Sequence, residues 1–153
     1  MNKIVFMLIL TLASAAFASA SDGDAILGVW NNEEKDGRIE IYHCGDRYCG
    51  KIVWAKEPNY PEGSKEGPPG TPRLDHNNPK PALRKTPIMG LVIMQDFSYA
   101  GGNTWGGGAV YDPKNGGTYR GKITLVSPDE LKLRGYLGIP LFGRTTTWTR
   151  YKE

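Results

Sequence analysis

Residues 118–137, "TYRGKITLVSPDELKLRGYL", hold two runs in which apolar and charged side chains alternate strictly. Tyr119, Gly121, Ile123 and Leu125 face one way, as do Leu131, Leu133, Gly135 and Leu137. Arg120, Lys122, Lys132 and Arg134 face the other. A period of two is the mark of a strand with one buried and one wet face, and "SPDE" supplies the turn between the runs. A chain built from such strands must close its sheet or stack it against another, because the apolar face has to be covered.

The other segments follow the same rule. "AILGVWN", "GRIEIYHC", "CGKIVW", "GLVIMQDFSY" (90–99), "WGGGAVYD" (105–112) and "RTTTWTRY" (144–151) bring the total to eight strands joined mostly by short turns. Twenty glycines and eleven prolines, with no sustained helical period, argue against an α-helical alternative. Eight antiparallel strands in a meander close into an all-β, up-and-down barrel and so lose both sheet edges. Gly106, Gly107, Gly108, Gly121 and Gly135 suit the bends that closure needs. An open β-sandwich is the second architecture. One stretch breaks the pattern: Glu57–Pro87 holds eight prolines and forms a long loop whose role (residues 58–87) the sequence does not assign. Within it "PEGSKEGPPGTP" has the composition of a flexible loop. "NNPKPALRK" offers one helical turn with Asn78 as N-cap and Pro79 at the first helical position.

Both cysteines lie in "YHCGDRYCGKIVW" (42–54). Opposing Cys44 to Cys49 across a four-residue loop sets Ile41 against Ile52 and Ile39 against Trp54. That register gathers the large apolar side chains, Val53 and Tyr42 excepted, on one face. A redox pair would show C-x-x-C at a helix start, and a metal site needs more ligands than His43 and His76 supply. The reading is a structural disulfide that closes a short loop, with a stabilisation of about 2 kcal/mol in the chain-entropy model.

"MNKIVFMLILTLASAAFASA" (1–20) has an early cation, Lys3, a short apolar run and an A-x-A ending, the pattern of a secretory signal peptide. The run is too short for a membrane-spanning helix, and no cysteine follows it for lipid attachment. Residues 21–153 then form one domain, expected as a monomer in the periplasm or medium, where disulfides persist. The formal charge of +3 is too small to point to nucleic acid.

The chemistry expected is binding, not catalysis. Neither histidine sits in a Ser/His/Asp pattern, and no phosphate-cradling or zinc-protease motif appears, so no catalytic residue, cofactor or metal is assigned. "DHNN" (75–78) opens like a calcium loop but carries Lys80 and Thr86 where the loop glycine and glutamate belong. The basic face of Arg120, Lys122, Lys132 and Arg134 reads as solvated wall, or as a surface for an anionic polymer.

"RIEIYHCGDRYCGKIVWAKEP", "DHNNPKPALRKTPIMGL", "GGGAVYDPKNGGTYRGKITL" and "LKLRGYLGIPLFGRTTTWTR" resemble the exported bacterial family known as domain of unknown function 2147, over Leu27–Arg150. The resemblance implies a lipocalin-like barrel in the cell envelope and transfers no catalytic residue. Gly28-Val29-Trp30 with Arg144 or Arg150 is similar to the G-x-W and last-strand arginine of lipocalins. Three functions are then open: a barrel that holds a small apolar or amphipathic ligand, a solid-cored protein that contacts an envelope partner through its long loop and basic face, or an enzyme on an envelope component. The first is preferred, with Trp30, Ile41, His43, Ile52 and Trp54 as the expected ligand-binding side chains.

Overall fold

The computed structural model describes residues 22–153, and the expected export signal at 1–20 lies outside the described residues. Eight antiparallel strands close a barrel in chain order. They are β1 (Gly28–Asn31), β2 (Gly37–Cys44), β3 (Arg47–Ala55), β4 (Val92–Gly101), β5 (Thr104–Asp112), β6 (Gly117–Ser127), β7 (Glu130–Tyr136) and β8 (Arg144–Arg150). Each pairs with its neighbours in sequence, and β8 returns to β1.

The alternation in β6 and β7 becomes the wall. Ile123 opposes Leu133 and Leu125 opposes Leu131 on the inner face, while Lys122 opposes Arg134 on the outer one. Leu137 departs from the expected pattern: β7 stops at Tyr136, and Leu137 stands 66% exposed in the next loop. At the centre of the barrel the Phe97 ring is fully buried over Gly108 and Gly121, where any Cβ would overlap it.

The first hairpin is tighter than the sequence reading. Cys44 opposes Arg47, so the turn is Gly45-Asp46 alone, and Gly45 takes the positive φ (67°) that such a turn requires at its first position. Ile41 therefore faces Gly50 and Ile39 faces Ile52, a register two residues away from the one expected. The disulfide joins Cys44 to Cys49 as diagonal neighbours, Cα atoms 5.8 Å apart. A shift of two preserves side-chain faces, so Ile39, Ile41 and Ile52 all stay inside and buried. Trp54 does not. A bulge between the Ile39 and Arg38 pairings sets Trp54 opposite Arg38, on the outer surface. There the Arg38 guanidinium lies between the Trp54 and Tyr151 rings, 4.3 Å and 3.8 Å from their centroids.

Up-and-down winding separates the two barrel ends. The β2–β3, β4–β5 and β6–β7 turns share one end with the N-terminal segment, and a short 3-10 helix, Asp22–Ile26, closes it. Ile26 is fully buried there, Trp105 donates its indole N–H to Gly23 O (3.1 Å), and Trp30 donates to Ile26 O (2.9 Å). The seam between β1 and β8 is short, with Trp30 opposite Arg150 and Asn31 opposite Thr149. Arg150 holds it. Its guanidinium lies 4.2 Å from the Trp30 ring centroid and donates to the carbonyls of Leu27, Ala25 and Pro128, each at 2.7 Å. Of the two arginines considered from sequence, Arg150 covers the tryptophan and Arg144 sits at the opposite end.

Arg150→Ala is expected to lower unfolding stability by about 2–4 kcal/mol in urea titration, from the lost charged hydrogen bonds and ring contact. Arg150→Lys should recover less than half of the loss, because an ammonium cannot stack and serve three carbonyls together. An unchanged midpoint in Arg150→Ala would contradict this role.

Candidate functional site

The other end is open. A cavity of about 980 Å³ enters the barrel there, with Ile39, Ile52, Val110, Leu133, Thr146 and Trp148 among its lining residues. Below it the barrel is solid, filled by Phe97, Trp105, Ile123, Trp30 and Ile41. The molecule is thus half core and half cup.

Charged groups ring the mouth, and most stand in pairs. Arg73 lies 3.1 Å from Glu57 and 3.8 Å from Glu66, Lys114 lies 3.7 Å from Asp36, and Arg144 lies 4.0 Å from Glu34. His76 Nε2 is 3.4 Å from Glu66. Arg73 contributes one more feature: its Nε is buried and has no acceptor among the described residues. Deep apolar walls under a polar rim suit a molecule with one apolar and one polar end.

The long loop, residues 56–91, builds much of this rim. Expected to be flexible in its first half, it folds as a packed arm with bridges Asn59–Pro72 and Leu74–Pro87 and a buried Tyr60, whose hydroxyl accepts from Leu74 N–H at 3.0 Å. Its helical turn is 3-10 and spans Pro81–Leu83, later than the Asn78 start expected; Asn78 Oδ1 instead accepts from Lys80 N–H. What fixes the arm is Asp75, which is buried. One carboxylate oxygen accepts from the Tyr111 hydroxyl on β5 (2.7 Å) and the other from Asn78 Nδ2 (2.8 Å). Asn77 Nδ2 also donates to Pro113 O and Lys114 O in the β5–β6 turn. The "DHNN" segment, weighed above as a calcium loop, thus has its aspartate engaged by protein donors. No group of three or more His, Cys, Asp or Glu is placed to hold a metal among the described residues.

The five expected ligand contacts fall in different places. Ile52 lines the cavity. Trp30 and Ile41 are in the solid half, fully buried in the core. Trp54 is on the outer wall, as described. His43 lies at the closed end, half exposed, with Nε2 2.8 Å from Asp24 Oδ1 and its ring 4.9 Å from that of Tyr48. His43 shares a strand face with Ile39 and Ile41, but it precedes the turn at the plugged end and stands exposed there, not in the interior. The lining residues outside the expected set come from β2, β5 and β7 (Ile39, Val110, Leu133), from β8 and from the arm; those of β8 and the arm carry no apolar alternation. Thr146 and Trp148 share a face with Arg144 and Arg150, a polar-looking face that apolar alternation does not flag. Tyr60, Arg73 and Leu74 belong to an aperiodic loop that carries no such signal.

Burial, and then the hydrogen bond and charge of Asp75, keep the Tyr111 hydroxyl protonated, with its pKa pushed up to about 12 from 10. Because the folded value is the higher one, the contribution of this contact is complete below pH 10 and is lost as pH rises from 10 towards 12. Spectrophotometric titration of the folded protein is expected to show a tyrosine ionising at about 12 that is missing in Tyr111→Phe. The same variant leaves one oxygen of buried Asp75 without a donor and should cost about 1–3 kcal/mol. Identical titration curves, or no loss of stability, would contradict the anchor.

The model of a family described as "Uncharacterized protein conserved in bacteria (DUF2147)" matches residues 28–150. Among solved structures, protein HP1028 from Helicobacter pylori, described as belonging to the lipocalin family, is similar with a TM-score of 0.67. The two are 23% identical, with 83% of each chain covered, a likeness that shows the fold. No curated protein sequence matches the chain.

Proposed function

The chain belongs to the bacterial DUF2147 family, and from the cup in its lipocalin-like barrel we propose that it binds a small amphipathic molecule. One observation carries the reading: a cavity of about 980 Å³ with apolar side chains from the strands inside it and charged groups around its mouth. Such a cup takes an acyl or ring system inward and leaves a polar end at the rim. Burial of an apolar chain drives the binding at about 25 cal/mol per Å² removed from water, and the rim sets the orientation. Arg73 and Arg144 are among the cations that line the mouth, and each can meet a carboxylate or phosphate head by exchanging its present carboxylate partner. The reading needs no cofactor and no bond-making step. The disulfide supports an oxidising compartment, and with it our reading that the protein binds its ligand in the periplasm or medium after loss of residues 1–20. Intact-mass measurement on protein from its own host should find a chain starting near Ser21, and a retained 1–20 segment would contradict export.

The solid-core alternative is favoured by the closed half of the barrel and opposed by the open half. Fluorescence of N-phenyl-1-naphthylamine decides between them. The folded protein is expected to enhance it, and a fatty acid should displace the probe. Thr146→Trp, which fills the cup from β8, should weaken probe binding about tenfold or more, whereas Tyr42→Ala, Lys51→Ala and Trp54→Ala on the outer wall should leave it unchanged. No enhancement by folded protein, or equal losses from inside and outside substitutions, would favour the solid-core reading.

A further inference from the structure

The β7–β8 connection, residues 137–143, stands at the mouth of the cup and turns its apolar side chains outward. Leu137 and Ile139 are more than half exposed, and Leu141 and Phe142 are 75% and 78% exposed. Four large apolar side chains in one short segment mark a surface that something apolar receives. The segment is braced in that attitude by Arg134, which donates from Nε to Pro140 O (2.6 Å) and from its terminal nitrogens to Leu141 O (3.1 Å) and Thr145 Oγ1 (2.7 Å).

The wall beside it is basic. Arg120 opposes Tyr136 and Lys122 opposes Arg134 on the outer face, with Lys132 two residues further along β7. Arg120, Lys122 and Lys132 are exposed, and none forms an ion pair among the described residues. On the β2–β3 wall, by contrast, Lys51 lies 3.1 Å from Glu40. Unanswered cations therefore lie along the strands that lead to the apolar tip.

We propose that this tip and wall dock the protein on an anionic phospholipid surface. Leu141 and Phe142 enter the boundary between headgroups and acyl chains, and Arg120, Lys122 and Lys132 lie against the phosphates. Cations along the outer wall are unsuited to a barrel embedded in lipid, so the contact is peripheral. A second copy or a protein partner would also cover the tip, but only an anionic surface answers the cations as well. Docking lays this side of the barrel along the membrane, with the mouth beside the surface, and does not require the cup to be filled.

Co-sedimentation with vesicles tests this. The protein is expected to pellet with phosphatidylglycerol–phosphatidylethanolamine vesicles and far less with phosphatidylcholine vesicles. Leu141→Ser with Phe142→Ser should weaken partitioning about 100-fold, near tenfold for each side chain removed from the boundary. Lys122→Glu with Lys132→Glu should remove the preference for anionic lipid, and added salt should do the same to the parent protein. Both double variants should keep the circular-dichroism spectrum and probe binding of the parent. Failure to pellet with anionic vesicles, equal binding to both compositions, or binding untouched by either double variant would overturn the proposal. A dimer seen by sedimentation velocity without vesicles and dissolved by the tip substitutions would also overturn it, assigning the tip to a second copy.

Discussion

The contact of Arg150 with the Trp30 ring is the constraint on which the rest of the barrel depends. Closing eight strands requires the first and last to meet, and here they share only a short ladder. A ladder of that length contributes little alone, since each net hydrogen bond is worth about 1 kcal/mol. Arg150 adds a stacked ring and three carbonyl acceptors from two other segments, so a single side chain ties β8 to β1, the N-terminal turn and the β6–β7 turn. The Asp22–Ile26 helix then plugs this end and buries Ile26 against Trp30 and Trp105.

Closing one end gives the other its character. Aromatic side chains fill the barrel from the plug to Phe97, above which the inner faces of β2, β3, β5, β7 and β8 line a cup. The Glu57–Pro87 stretch keeps an ordered rim because buried Asp75 is held between Tyr111 on the barrel and Asn78 in the arm. A buried carboxylate is tolerated only when its oxygens have donors, which is why this polar cluster is packed so closely. Rigid floor and anchored rim together give a preformed site, which lowers the cost of ordering on binding.

The faces of the strands were legible in the sequence; the ends were not. Alternation placed Ile39, Ile41, Ile52, Ile123, Leu131 and Leu133 inside, because parity survives any even error in register. The hairpin at 44–49 shows this: its turn is two residues rather than four, and the disulfide is diagonal rather than direct, yet the same side chains stay buried. Parity fails where the chain leaves the regular ladder. A bulge turns Trp54 out to Arg38, and β7 ends one residue before Leu137. His43 shows a different limit, since parity says inside or outside but not which end is plugged. The rim was illegible for a further reason: Asp75 and Tyr111 are 36 residues apart, and their pairing depends on tertiary packing that no local period records.

The account rests on a cup that is open at one end and takes the apolar part of an amphiphile. Backbone amide shifts measured by two-dimensional NMR during titration with a long-chain fatty acid test it most directly. The predicted changes centre on Ile39, Ile52, Leu133, Thr146 and Trp148 and spread to Arg73 at the rim, while Phe97, Trp105 and Arg150 in the solid half stay fixed. Saturating shifts confined to the outer wall, around Tyr42 and Trp54, or no saturating shifts at all, would contradict a ligand-holding cup.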